Sequence, residues 1–351
     1  MTFRVTVLGA GSIGIFVGGK LAAAGADVTF VGRPRLLDEI SGNGLRLTDL
    51  DGGSDRVAPG AFAVATEPTS AATADLILIT VKSAQTAVSA EQLVGRVRPD
   101  TVVLSLQNGI GNDTVIKEIL PACVVLAGMV MFNVVHRDGG IFHRGTAGGL
   151  AVADDPALDR FAPLFARAGL PLERHADLLP VQWAKLLLNL NNPINALSGL
   201  PLRTELGERD YRRCLALAQA EALAVMHRAQ IRPARLTLLS PELMVRLLTV
   251  PDLLFSRFAG RVVAVDPQAR SSMADDLALG RKTEIAWLSG EIVSLGRMVG
   301  MPTPVNAALV ELIGVAERGD SRRWTGPDLL ARLRSAKCDG AEDPAHPSHR
   351  A

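Results

Sequence analysis

The sequence predicts an α/β protein, an N-terminal doubly wound parallel sheet followed by an all-α C-terminal domain. Three observations carry this. Phe3, Val5, Val7 and Leu8 form a short apolar strand that runs into a glycine-rich turn and then a helix-spaced set, Ile13, Phe16, Val17 and Leu21. Residues 75–81 and 101–106 are apolar almost without interruption, as strands covered on both faces should be. From about residue 177 onward the apolar spacing turns helical, with Pro and Gly only at punctuation points.

The first element sets the frame. Gly9, Gly11 and Gly14 fit GxGxxG between a strand and a helix. Gly9 permits the tight turn, Gly11 lets backbone approach a pyrophosphate, and Gly14 lets the helix lie on the strand. The amides and positive dipole end of that helix attract phosphate. This Rossmann-type arrangement makes Gly9, Ala10, Gly11, Ser12, Ile13 and Gly14 the candidate dinucleotide cradle, a plain glycine turn being the alternative. Gly25 closes the helix and Asp27–Val31 reads as the second strand. NAD-preferring sites carry an acidic residue at that strand's C-terminal end. Here Gly32-Arg33-Pro34-Arg35 follows instead, and Asp27 sits at the wrong end. Two guanidiniums suit a 2′-phosphate, which favours NADP(H) with Arg33 ahead of Arg35; loop arginines in solvent are the other reading.

Residues 42–64 contain strand-like pieces around Gly/Asp-rich turns, read as a meander inserted before the next core strand, 75–81. That strand ends in Lys82-Ser-Ala-Gln85, at the carboxyl edge where such sheets bind ligands. Lys82 could meet a phosphate or a carboxylate there, or be a solvated strand end. Strand 101–106 leads into Gln107-Asn108-Gly109, first a turn signal, yet placed at the same edge. Residues 124–135 and 141–153, joined by Arg137-Asp138-Gly139-Gly140, are expected to close the domain with antiparallel strands rather than further βα units.

In the second half, Lys185, Asn189 and Asn192 fall within roughly 60° of arc on one helix face. Leu186 to Leu188 and Leu190 cover the other faces, so the helix should be buried and its polar stripe should have partners. Pro193 frees the carbonyl of Asn189. A ligand cleft and a structural polar network both fit. Ser272 with Asp275 resembles a capping box, opening a helix expected to run to Val299, where Gly300 and Pro302 stop it. Glu284 would lie mid-helix, either solvated or turned inward to Lys185. The interval 203–270 reads as charged and helical, 321–333 as a last strand-free segment, and 335–351 as a disordered tail. The expected domains are therefore 1–177, 178–334 and the tail 335–351.

Composition excludes several classes. The 351 residues are 48% hydrophobic and 21% charged with net charge +1, so no global field draws nucleic acid or an acidic membrane. Aromatics are 4%, against a base-stacking surface. Cys123, Cys214 and Cys338 are too scattered for a disulfide framework or a metal site, which fits a reduced, cytoplasmic setting. Neither an export signal nor a membrane-spanning run is expected. The sequence leaves the oligomeric state open, a homodimer being one option.

With these residues in view, the chain resembles the ketopantoate reductase (2-dehydropantoate 2-reductase) family over residues 3–333. The likeness rests on GxGxxG, Lys82-Ser-Ala-Gln85, Leu106-Gln-Asn108-Gly, the Trp183/Lys185/Asn189 helix and Ser271-Ser-Met…Thr283-Glu284-Ile. It implies NADPH-dependent reduction of a 2-oxo acid to a 2-hydroxy acid, the pantoate-forming step towards pantothenate and coenzyme A. By position it implies Lys185 as general acid and Glu284 as its partner near the nicotinamide ribose. Asn189 and Ser272 would touch substrate, Asn108 the cofactor–substrate junction, and Lys82 and Gln85 the cofactor. Two features depart from the family. Its second helix asparagine falls here on Pro193, so Asn192 is the expected substitute and Asn195 the runner-up. The stretch before Ser272 is also longer, which would remodel the substrate cavity. On the same fold, reduction of a related 2-oxo acid or imine, or non-catalytic NADP(H) sensing, are the alternatives.

Overall fold

The computed structural model describes residues 2–50, 52–237, 239–259, 269–320 and 322–339. The chain divides into two compact units, Met1–Gln182 and Trp183–Ala351.

The first unit is built on β1 (Arg4–Leu8), α1 (Ser12–Ala23), β2 (Asp27–Val31), α2 (Pro34–Asn43), β3 (Leu45–Thr48), β4 (Ser54–Val57), β5 (Ala63–Ala65) and β6 (Leu76–Ile79). It continues with α3 (Thr86–Glu91), β7 (Val102–Ser105), α4 (Asn112–Ile119), β8 (Val124–Val130), β9 (Val134–Arg137), β10 (Ile141–Arg144), β11 (Leu150–Ala153), α5 (Ala162–Arg167) and β12 (Leu172–His175). The main sheet has the order β12-β11-β8-β7-β6-β1-β2-β5. β1 pairs in parallel with β2 on one side and β6 on the other, so the winding reverses there, which is where open α/β sheets take ligands. β6 and β7 are buried at every position, as their unbroken apolar runs require.

Two expectations are corrected here. The segment 42–64 is not one meander, because β5 joins the main sheet beside β2 while β3 and β4 enter a second, four-stranded sheet, β4-β3-β10-β9. A glycine doublet explains how that sheet docks. A Cβ on Gly18 would lie 2.7 Å from Val7 and 2.6 Å from Phe30, and one on Gly19 2.9 Å from Leu45 and 3.0 Å from Leu47, so α1 packs backbone-close on both sheets. The expected closure by antiparallel strands holds only for β8–β11 and β9–β10; α5 then returns the chain so that β12 pairs in parallel with β11.

The second unit is helical. Its helices are α6 (Leu179–Asn189, crossing the division), α7 (Asn191–Ser198), α8 (Leu202–Gly207), α9 (Arg209–Arg228) and α10 (Pro241–Leu248). There follow α11 (Asp252–Ala259), α12 (Ser272–Ala278), α13 (Ser289–Met298), α14 (Pro304–Ala316) and α15 (Gly326–Asp339). The long α9 forms the axis, packed by α10, α13, α14 and α15. Residues 231–237 and 239–240 lack helix, and 238 and 260–268 lie outside the described residues. The interval is tied down by Arg212, whose side chain is fully buried. It donates to the carbonyls of Leu206 (3.0 Å), Gly207 (2.8 Å) and Val250 (3.0 Å) and to Asp252 (2.7 Å), and lies 4.1 Å over the Phe255 ring.

The single helix expected from Ser272 to Val299 is broken. Gly280 has φ +61, and a 3-10 turn at Ile285–Trp287 precedes α13. The tail expected from 335 begins inside α15, which Leu329, Leu330 and Leu333 anchor in the core; residues beyond 339 lie outside the described residues. Among the described residues no helix is long and apolar enough to cross a membrane, and no group of His, Cys, Asp and Glu could hold a metal.

Candidate functional site

In the first unit the glycine turn is as tight as its sequence demands. Gly9 has φ +111, and a Cβ on it would meet the Val81 amide nitrogen at 2.5 Å. A Cβ on Gly14 would sit 2.4 Å from the Gly9 carbonyl and 2.4 Å from Thr80 Oγ1. Around Gly11, by contrast, a Cβ would meet nothing described within 4 Å, so its backbone faces open space. The Gly9 and Ala10 amides both donate to the Val31 carbonyl (3.0 and 2.9 Å), which fastens the turn to the end of β2. α1 starts at Ser12 with no side-chain cap and no acidic residue in its first turn, leaving the amides around Ser12, Ile13 and Gly14 suited to an anion. Gly32 packs on Ala10, where a Cβ would come within 2.6 Å, so β2 delivers Arg33 beside the turn. Arg33 and Arg35 are exposed, and neither has an ion pair among the described residues. These features fit a dinucleotide with a phosphorylated ribose.

The edge formed after β6 and β7 is held by neutral groups. Ser83 Oγ donates to the Asn108 carbonyl (2.8 Å), and Asn112 Nδ2 donates to the same carbonyl (2.7 Å) and to Ser83 Oγ (3.3 Å). Thr86 Oγ1 donates to Asn112 Oδ1 (2.8 Å) and accepts from Gln107 Nε2 (2.8 Å), which also reaches the Val81 carbonyl (3.0 Å). Asn108 and Lys82 are half-buried at this edge, whereas Gln85 is exposed. Sequence reasoning named Asn108 and missed Ser83, Thr86, Gln107 and Asn112. The available signal was small polar residues immediately after buried strands.

In the second unit Lys185 is 9% exposed on α6, while Asn189 and Asn192, on the same stripe, are half-buried. Burial alone lowers the Lys185 ammonium from 10.5 to about 8. The expected Lys185–Glu284 pair is not made: among the described residues the ammonium has no ion pair. The cause is the broken helix, which puts Glu284 in the loop before the 3-10 turn. That loop is anchored one residue earlier, where the Thr283 amide (2.8 Å) and hydroxyl (2.7 Å) donate to Glu317 Oε1. Burial would raise the Glu317 carboxyl, but those bonds and Lys282 hold it below the usual range.

The α12 cap falls on Ser271 rather than Ser272. Ser271 Oγ accepts from the Ala274 amide (3.2 Å) and donates to the Asn192 carbonyl (3.3 Å), leaving Ser272 exposed as the first helical residue. Asn195, the runner-up for the second asparagine, is fully buried and spends its side chain on protein: Oδ1 accepts from the Ser271 amide (2.9 Å), and Nδ2 reaches Leu200 O (3.0 Å) and Glu205 (3.3 Å). The longer interval does meet the lysine helix. An apolar cavity of about 40 Å³ lies where Leu236, Leu239 and Met244 face Ala184, Leu187 and Leu188.

The comparisons agree across both halves. The family model described as "Ketopantoate reductase PanE/ApbA" matches residues 5–156, and its C-terminal counterpart matches 177–317. A 2-dehydropantoate 2-reductase of Halobacterium salinarum is 32% identical over 330 residues, 90% of this chain and 99% of that protein. One from Pyrococcus horikoshii is 29% identical over 331 residues, 90% and 97% of the two chains. The crystal structure of a PanE/ApbA family ketopantoate reductase from Ralstonia eutropha superposes with TM-score 0.75 at 29% identity, covering 90% of this chain and 98% of that one.

Proposed function

The chain belongs to the ketopantoate reductase family, and we propose that it reduces 2-dehydropantoate (ketopantoate) to (R)-pantoate with NADPH, Lys185 donating the proton. The family membership makes it an oxidoreductase. The single observation that carries the catalytic assignment is a lysine ammonium buried on α6 without a carboxylate partner among the described residues.

When bound, the dihydronicotinamide supplies the hydride. The protein's own groups do the rest. The open backbone at Gly11 and the uncapped start of α1 would hold the pyrophosphate, and Arg33 would hold the 2′-phosphate. Lys82, Gln85 and Asn108 would meet the cofactor at the carboxyl edge of the sheet. As negative charge develops on the substrate's 2-oxygen, Lys185 stabilises it and then transfers a proton, help worth about 10²–10⁴ in rate. A pKa near 8 leaves the ammonium mostly charged at neutral pH even without a carboxylate beside it. Glu284 is therefore assigned to the nicotinamide ribose and to the ammonium only secondarily. Asn189, Asn192 and the exposed Ser272 take the substrate carboxylate and hydroxyls.

The test is NADPH oxidation with ketopantoate, pyruvate and 2-oxoisovalerate in parallel, repeated with NADH. Ketopantoate with NADPH is expected to give the highest kcat/KM. A preference for another oxo acid would move the assignment to a related reductase. NADPH binding without turnover of any oxo acid would favour a sensing protein.

A further inference from the structure

We infer that Glu205 is a positioning residue that fixes the Ser271–Ser272 turn through Asn195. The inference rests on the reading of Asn192 and Ser272 as substrate contacts. Glu205, on α8, has 0% exposure. Its Oε2 accepts from Asn191 Nδ2 (3.0 Å) and Asn195 Nδ2 (3.3 Å). Those asparagines stand one helical turn apart on α7, so a single oxygen clamps one face of that helix. Asn195 Oδ1 passes the constraint to the Ser271 amide (2.9 Å), and Ser271 Oγ returns to α7 at the Asn192 carbonyl (3.3 Å). Ser272 then emerges from a turn fixed at its amide and at its cap. The path from Glu205 to Ser272 contains no exposed link.

The other carboxyl oxygen, Oε1, is buried without a hydrogen-bond partner among the described residues, as is Asn191 Oδ1. The titratable groups facing the carboxyl are Glu208 on its own segment and Tyr211 and Cys214 on α9, none of them a cation. An ionised Glu205 would place uncompensated charge at Oε1, so burial favours the neutral acid and pushes the carboxyl up to about 7. Leucine would fill this space without that desolvation cost. The carboxyl orients two amides, one of which fixes the Ser271 turn.

The test compares Glu205→Gln with Glu205→Leu by steady-state kinetics, NADPH titration and amide hydrogen exchange. Glu205→Gln, an amide of the same shape as the neutral acid, is expected to keep KM for the oxo acid within about threefold. Glu205→Leu is expected to raise that KM about tenfold, the worth of one hydrogen bond, with kcat and NADPH affinity changed much less. Its amides at 271–274 should exchange about tenfold faster while those of α14 and α15 match the parent. If Glu205→Leu fails to fold, Asn195→Ser, which removes the next link, carries the same expectations. Faster exchange spread over all helices with KM unchanged would reduce Glu205 to general packing and overturn the proposal. So would Glu205→Gln behaving like Glu205→Leu. If the parent reduces no 2-oxo acid, the functional reading fails on its own, and exchange at 271–274 alone decides for or against Glu205.

Discussion

The two units bury polar groups of opposite character. Under the Asn108 loop, Ser83, Thr86, Gln107 and Asn112 satisfy one another with hydroxyls and amides alone. In the helical unit, Lys185 is driven down to about 8 and Glu205 up to about 7, each chiefly by burial. A neutral network holds geometry at any pH. Buried ionisable groups hold geometry too, and in addition make proton occupancy part of the structure. Under the proposed function, this contrast matches a sheet side that binds independently of pH and a helical side that transfers a proton.

The sharpest way to break this contrast is Lys185→Ala. It should lower kcat by about 10²–10⁴ while NADPH binding, followed by fluorescence titration, is unchanged. Unchanged turnover would remove Lys185 from the chemistry. Next in size, Arg33→Asp should cost NADPH affinity tenfold or more, as about 1.5–3 kcal/mol of charge-assisted bonding to the 2′-phosphate is lost. NADH affinity should not fall with it. A pH profile comes third. The general acid must be protonated, and its share falls as pH passes about 8, so kcat/KM for the oxo acid should fall about tenfold per unit above that, with NADPH Kd flat. The smallest effect concerns stability. Glu205 has its pKa raised from 4.5 to about 7, so its contribution is full below 4.5 and is lost as pH rises through about 7. The Tm of the parent should therefore fall relative to that of Glu205→Gln across this window. A constant difference would mean the carboxyl does not titrate there.

What was legible in the sequence divides along similar lines. The glycine turn, the apolar strands and the lysine stripe were readable because each is a local pattern, a short run whose spacing alone states its conformation. The second sheet was not, because β3 joins β10 by direct strand pairing, and no periodicity announces a pairing across some ninety residues. The Ser272–Val299 helix was misread since its apolar spacing continues through Gly280. What breaks it is the Thr283–Glu317 contact, a partner 34 positions away. The Lys185–Glu284 pair was implied by the family resemblance alone, since the helix reading left Glu284 either solvated or turned inward; the loop that holds Glu284 follows from the same distant contact.

The glycine face of α1 carries one more implication. Gly14 and Gly18 both rest on Val7, at 3.0 and 2.7 Å from where their Cβ atoms would be, four residues apart on one face of a single helix. A twelve-residue helix moves as a rod about 18 Å long. A methyl group added at Gly18 cannot be absorbed locally: it would lever the far end of the rod off β1 and drag the cofactor turn with it. Coenzyme affinity in this chain is therefore exposed to changes at a position that touches no ligand at all.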